Sequence, residues 1–281
     1  FAGVFQTLAE HSLTPPIFVT FVRYGSGVFA LFFLILLGAQ VLNIIKQDKW
    51  ICMVIFLSAI SFIWSDYPNY TIELIKTELF QMSAFGLYIA TRFTLKQQLH
   101  FIVTALSISM LLSFICAVVF PHVAISEEGL FQGVFGHKNA ASACGLLSAL
   151  SSFSLALDKT ENSGTNLKNW SVFGTAIIFI FATTSKTGLV LSFLIPLAIL
   201  FYIRSRWKGE IVAIILPIIV VIVYVSLTIL IAKWEFLLSS IGGDPTLTGR
   251  TGIWQTSLQY IAERPWLGFG RGAFWAVGSQ T

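Results

Sequence analysis

Few residues in this chain could do chemistry, because 56% of its 281 residues are hydrophobic and only 11% are charged. Thr184-Ser185-Lys186-Thr187-Gly188 breaks a long apolar run with an ammonium group flanked by hydroxyls. Gly133-Val134-Phe135-Gly136-His137-Lys138-Asn139 repeats the pattern with an imidazole, an ammonium and an amide beside glycines. Gly242 to Thr251 is the longest polar interval and carries Arg250, while Gly268-Phe269-Gly270-Arg271-Gly272 places Arg271 in a glycine-rich turn. Each cluster sets a cation beside hydroxyl or backbone donors, and that combination suits an oxyanion, above all a phosphate.

Each motif also has a plainer reading. Lys186 stands where a new helix begins, so the first-turn N–H groups and the helix dipole favour an anion there, with Ser185 and Thr187 as added donors. Alternatively, Ser185 or Thr187 caps the helix and Lys186 snorkels to the membrane surface. His137 and Lys138 can donate to a substrate, with Asn139 as the N-cap of a helix over 140–157. The His137 imidazole also titrates in the range of a general base, although binding is the favoured role. Arg250 has the planar fork that grips a phosphate through two hydrogen bonds; its plain alternative is a salt bridge to Asp244 or Glu263. Arg264 is assigned to the helix dipole and to interfacial anchoring. Arg271 sits where glycines let the backbone approach a ligand.

These groups need a scaffold, and the composition says which kind. A mean hydropathy of +0.82 lies outside the soluble globular range. The pattern predicts an all-α, polytopic membrane helical bundle of about eight spans in one transmembrane domain over 1–281. The spans are 25–45, 50–64, 73–92, 99–120, 140–157, two short helices within 170–204, and 211–232. An unbroken 170–204 helix would be about 50 Å long, against a bilayer core of about 30 Å, so the break at 183–188 is required. Residues 1–24 read as a loop with a short interfacial helix. The 140–157 helix is rich in Ala, Ser and Gly, a composition that lets membrane helices approach closely. Residues 233–281 form an outer loop, the start of a catalytic loop, carrying a short amphipathic helix with Ile253, Trp254, Leu258 and Ile261 on its apolar stripe.

Orientation follows from the cations. With the Lys46/Lys49 loop inside, the inner side also receives Arg92, Lys96 and Arg204, whereas Lys138, Lys186, Arg250 and Arg271 fall on the outer face, where the positive-inside rule disfavours them. Something anionic must compensate them there. Cys52, Cys116 and Cys144 lie in apolar runs and read as packing residues, with neither disulfide nor metal site. The chain shows no P-loop, nucleophile elbow, dinucleotide fingerprint or His-rich metal spacing, and nothing points to nucleic acid.

The three motifs together, with Trp254, Pro265, Leu267-Gly268 and Gly270, resemble the O-antigen ligase and polymerase superfamily over roughly residues 51–275, and most nearly the bacterial exopolysaccharide polymerases. The resemblance implies a multi-pass enzyme of the bacterial inner membrane with a periplasmic active face. It would polymerise undecaprenyl-pyrophosphate-linked oligosaccharide repeats onto an acceptor glycan, without metal or other cofactor. It also implies that Arg250 contacts the pyrophosphate. Lys186 occupies a position that is usually arginine in the ligases, which favours the polymerase branch. The loop histidine thought to activate the acceptor is expected beyond Thr281, since both ends of the sequence look cut. The catalytic pair is thus Lys186 and Arg250, with His137, Lys138, Asn139, Ser185, Thr187 and Arg271 binding substrate. The alternatives are an O-antigen ligase acting on lipid A core, a transporter or flippase, and a non-catalytic membrane scaffold. Two related halves would mark a transporter, and no internal repeat is found.

Overall fold

The structure, a computed structural model, describes residues 15–36, 38, 46, 48–158, 160–205 and 250–278. Among these residues all regular elements are helices, with one isolated antiparallel bridge between Ile125 and Phe131. They are α1 (Pro16–Leu36), α2 (Lys49–Ile60) and its 3-10 extension Ser61–Ile63, α3 (Pro68–Leu74), a π-helical stretch Ile75–Leu79, α4 (Phe80–Arg92) and α5 (Leu95–Val119). There follow α6 (Pro121–Ala124), a 3-10 turn Gly133–Phe135, α7 (Lys138–Ala156), α8 (Ser163–Ala182), α9 (Lys186–Ser205), α10 (Arg250–Glu263) and α11 (Ala273–Gly278). The expected span over 211–232 and the polar interval 242–249 lie outside the described residues.

Several boundaries differ from expectation for local reasons. The stretch from Pro16 to Tyr24 is helix continuous with the first span rather than a separate short interfacial helix in a loop, with Pro16 at the helix start, where its missing N–H costs nothing. Helix α5 starts at Leu95 rather than Leu99, because the Thr94 side chain accepts from the Gln97 N–H while the Gln97 side chain accepts from the Thr94 N–H. That reciprocal capping box satisfies two otherwise orphaned donors. Helix α8 starts at Ser163, seven residues before the expected 170, while the break between α8 and α9 falls where expected.

The chain packs as two units, residues 1–60 with 72–200 and residues 61–71 with 201–281. In the first, α5, α7 and α8 pack together, and α1 packs on α4. Helix α5 exposes large aliphatic side chains, Ile108, Leu111, Ile115 and Val118, while Ser109 and Ser113 are buried beside Val103, Met110 and Cys116. In water that arrangement would be unfavourable; against lipid it places aliphatic side chains in their own solvent and leaves small residues for helix contacts. Two of the buried hydroxyls bond back to the preceding turn, Ser113 to the Ser109 carbonyl (2.8 Å) and Ser152 to that of Ser148 (2.7 Å), which satisfies those donors in an apolar medium. Leu95–Val119 and Lys138–Ala156 are long and apolar enough to cross a bilayer, and 20–36, 49–63 and 186–201 are shorter apolar helices. This fits a membrane protein, with two of the eight expected spans meeting that test among the described residues.

The core is centred on Phe179 and Ile180 of α8, both fully buried. A Cβ on Gly145 of α7 would come within 2.9 Å of Ile180 and 3.1 Å of Phe179, so this glycine lets α7 and α8 meet backbone to side chain. Phe114, Phe131 and Phe135 set their rings against Phe179 with centroids 5.5, 5.4 and 6.1 Å away. Phe131 and Phe135 belong to the loop between α5 and α7, so the core also anchors the segment that leads into the first motif.

Candidate functional site

The loop before α7 is held from below. Ser113 of α5 accepts a hydrogen bond from the Val134 N–H (3.1 Å) while donating to its own helix, and a Cβ on Gly133 would lie 2.5 Å from the Ser113 hydroxyl. Gly133 and Gly136 both have positive φ, 59° and 70°, conformations that glycine adopts without steric cost. The turn so fixed ends at His137, whose Nδ1 accepts from the Asn139 N–H at 3.1 Å. The N-cap of α7 is therefore His137 rather than Asn139, and Lys138 and Asn139 occupy the first helical turn. Because Nδ1 is the acceptor, a neutral His137 carries its proton on Nε2. His137 and Asn139 are exposed and Lys138 half-buried.

The second motif forms the tight reversal between α8 and α9. Thr183 is buried and donates to the Ile180 carbonyl at 2.7 Å, while Thr184 has a positive φ of 54°. Few non-glycine residues adopt that conformation, and Thr184 marks the turn as conformationally demanding. The Leu189 N–H donates to the Ser185 carbonyl at 3.0 Å, so α9 begins with Lys186, Thr187 and Gly188 in its first turn. Ser185 is buried, whereas Lys186 and Thr187 are exposed.

Tertiary packing brings these two motifs together. Helices α7 and α8 form an antiparallel hairpin, so the start of α9 returns to the end at which α7 starts. Contact is direct, since a Cβ on Gly188 would collide with the Ser142 hydroxyl and lie 3.2 Å from its Cβ. Lys138 is one helical turn before Ser142, and Lys186 is two residues before Gly188. Among the described residues neither lysine forms an ion pair. Two ammonium groups and two helix N-termini thus share one end of the first unit, an arrangement that attracts anions.

Beside it, the α5–α7 loop encloses an open cavity of about 680 Å³ lined by Pro121, His122, Ile125, Ser126, Glu127 and Gln132. An imidazole, a carboxylate, a hydroxyl and an amide are the groups that engage sugar hydroxyls. Sequence reasoning did not single out His122 or Glu127, because they belong to no motif and converge only when the loop folds back on itself.

The opposite end of the same helices is built differently. Lys96 lies 3.0 Å from Asp158, 2.7 Å from Glu161 and 2.8 Å from the Thr160 hydroxyl, while His100 lies 3.0 Å from Glu161. The Thr160 N–H and then Lys96 bring the Asp158 carboxyl down to about 2, and Lys96 followed by His100 lowers that of Glu161.

In the second unit, the turn after α10 docks on residues 61–71. The Trp64 Nε1–H donates to the Leu267 carbonyl (2.9 Å), the Arg271 N–H to the Ser61 hydroxyl (3.0 Å), and the Thr71 hydroxyl to the Arg271 carbonyl (3.3 Å). Gly270 has φ 93°, and a Cβ there would sit 2.7 Å from the Ser65 Cβ. Its freedom thus serves chain packing. Arg264 pairs with Asp66 at 2.8 Å and lies 4.5 Å from the Phe269 ring centre, a more specific role than dipole and interface anchoring alone. Ile253, Trp254, Leu258 and Ile261 of α10 are exposed. Arg250 opens α10, but its side chain lies outside the described residues.

Residues 171–280 match the family model for O-antigen ligase. The match takes in Thr184–Gly188, Arg250 and Arg271 and leaves 133–139 outside. No curated protein and no solved structure matches the chain.

Proposed function

We propose that the protein, whose residues 171–280 match the family model for O-antigen ligase, is a membrane glycosyltransferase polymerising undecaprenyl-pyrophosphate-linked oligosaccharide repeats on the periplasmic face of the bacterial inner membrane. The observation that carries this reading is the shared end of α7 and α9, where Lys138 and Lys186 pair with no carboxylate among the described residues and flank the Ser142–Gly188 contact. In the reaction, an acceptor hydroxyl oxygen attacks the anomeric carbon of the donor sugar. The bond from that carbon to the pyrophosphate oxygen breaks, the lipid pyrophosphate leaves with the bonding pair, and the hydroxyl proton passes to a base. Negative charge grows on the leaving group, so fixed cations shielded from bulk water lower the barrier. Lys186 and Arg250 are assigned to this stabilisation. His137, Lys138, Asn139, Ser185, Thr187 and Arg271 are assigned to holding the donor and acceptor.

The test is a purified-protein assay with a lipid-pyrophosphate-linked repeat unit, scoring glycan chain length. Growth of chains in native protein and its loss in Lys186→Ala and Arg250→Ala supports the proposal; growth unaffected by both substitutions removes the site assignment. The description of the matching family favours a second reading, transfer of one preassembled glycan to lipid A core. A single-block product on that acceptor, with no ladder of lengths, selects the ligase.

A further inference from the structure

The contact between Ser142 and Gly188 contains two features that packing alone does not require. Ser142 is 2% exposed, and its hydroxyl has no hydrogen-bond partner among the described residues. Ser113 and Ser152 bond back to a carbonyl one turn earlier, whereas Ser148, also buried, shares with Ser142 the lack of a partner among the described residues. Ser142 instead sets its oxygen against the backbone of Gly188, where any side chain would collide with it. The space is also closed from the third side, because a Cβ on Gly188 would lie 3.3 Å from the Ile180 Cγ2. Helices α7, α8 and α9 therefore meet at one point that admits no further atom.

Geometry gives this point leverage over the cations. Residues four apart lie on the same helix face, one above the other. Lys138 is thus stacked about one turn, roughly 6 Å along the axis, before Ser142. Lys186 is two residues before Gly188, in the same first turn of α9. Any displacement of α9 against α7 here moves the two ammonium-bearing backbones apart by a similar amount.

We propose that Ser142 and Gly188 are positioning residues, a steric gauge that sets the separation of Lys138 and Lys186 so that both ammonium groups engage one diphosphate-bearing donor. The inference rests on the glycosyltransfer reading above for the identity of that donor, while the gauge itself is a property of the helix contact. Neither residue touches the reacting atoms; both act through the lysines. The unpartnered hydroxyl fits this role, because it fills the gap without holding the helices by a bond.

The experiment has two readouts. Spacing is measured by cross-linking Lys138→Cys/Lys186→Cys with thiol reagents of graded length, in a background with Cys52, Cys116 and Cys144 replaced. Turnover is measured separately, in protein retaining both lysines, by chain growth from the lipid-pyrophosphate-linked repeat. Gly188→Ala is expected to require a longer cross-linker and to lower kcat about 10²-fold, the order expected for a misplacement near 1 Å. Gly188→Ala/Ser142→Gly, which removes the colliding side chain, is expected to restore both. Unchanged spacing and turnover in Gly188→Ala overturns the inference, as does failure of Ser142→Gly to rescue a folded Gly188→Ala protein. If Gly188→Ala does not fold, Ser142→Thr adds a methyl to the same contact, and native turnover in that variant overturns the inference equally. A spacing that shifts and is rescued, in a protein whose native form transfers no glycan, supports the gauge and overturns the glycosyltransfer reading instead.

Discussion

The two ends of the α5–α7–α8 layer use the same kinds of residue for opposite purposes. At one end Lys96 is saturated by Asp158, Glu161 and Thr160, and His100 completes the cluster. At the other, Lys138 and Lys186 stand at helix starts and pair with no carboxylate among the described residues. A cation already neutralised by the chain ties helix ends together, whereas a cation left open has its charge available for a ligand. Position relative to acidic residues, rather than residue type, thus separates a structural lysine from a candidate catalytic one.

The largest expected effect sharpens that contrast. Lys186→Ala should lower chain growth by roughly 10²-fold or more, in the range of removing one preorganised transition-state donor, with little change in thermal unfolding, since the side chain is exposed. Lys96→Ala should do the reverse, lowering the unfolding midpoint by a few degrees at most and leaving turnover per folded molecule intact. Equal loss of turnover from both substitutions would break the comparison.

A second test lies in the other unit. Gly270→Ala forces a side chain into φ 93° against Ser65, and should destabilise the docked turn by about 1–3 kcal/mol, read as faster hydrogen exchange over 264–272. Smaller again is His137→Ala, which removes an N-cap of α7 at a cost of about 1 kcal/mol. His137→Ser should recover that stability, so a turnover defect that persists in the serine variant would assign His137 to substrate rather than to the cap.

The smallest effect is the pH response of the paired end. Asp158 and Glu161 have folded carboxyls held below their ordinary values. A lowered folded pKa gives stability that is present above the unfolded value near 4 and lost as pH falls through the folded one, about 2 for Asp158. Thermal unfolding should therefore be insensitive to these groups between pH 5 and 7 and decline below about pH 4.5. In Lys96→Ala the decline should be shallower.

Much of the helical layout was legible from the chain alone, because apolar runs long enough to cross a bilayer have few other structures open to them. The break at 183–188 was legible for the same reason, since one uninterrupted helix would have overrun the membrane. The capping box at Thr94 and Gln97 is present in the sequence as a Thr-x-x-Gln pattern, but apolar length alone starts α5 at Leu99, one turn late. The N-cap of α7 was misplaced because asparagine is the commoner cap, and only the turn held by Ser113 and Gly133 shows that the chain enters the helix at His137.

By itself, the sequence determined which segments are apolar, where they must break, and that its cations gather at a few helix starts beside glycines. Those properties are local: hydropathy, length and backbone freedom are carried by neighbouring residues. Only the tertiary structure decided which cations are spent on carboxylates and which remain open, and that Gly188 meets Ser142. The physical reason is that charge compensation and close approach are pairwise terms between residues as distant in the chain as Lys96 and Glu161, or Ser142 and Gly188, and no local pattern records who faces whom.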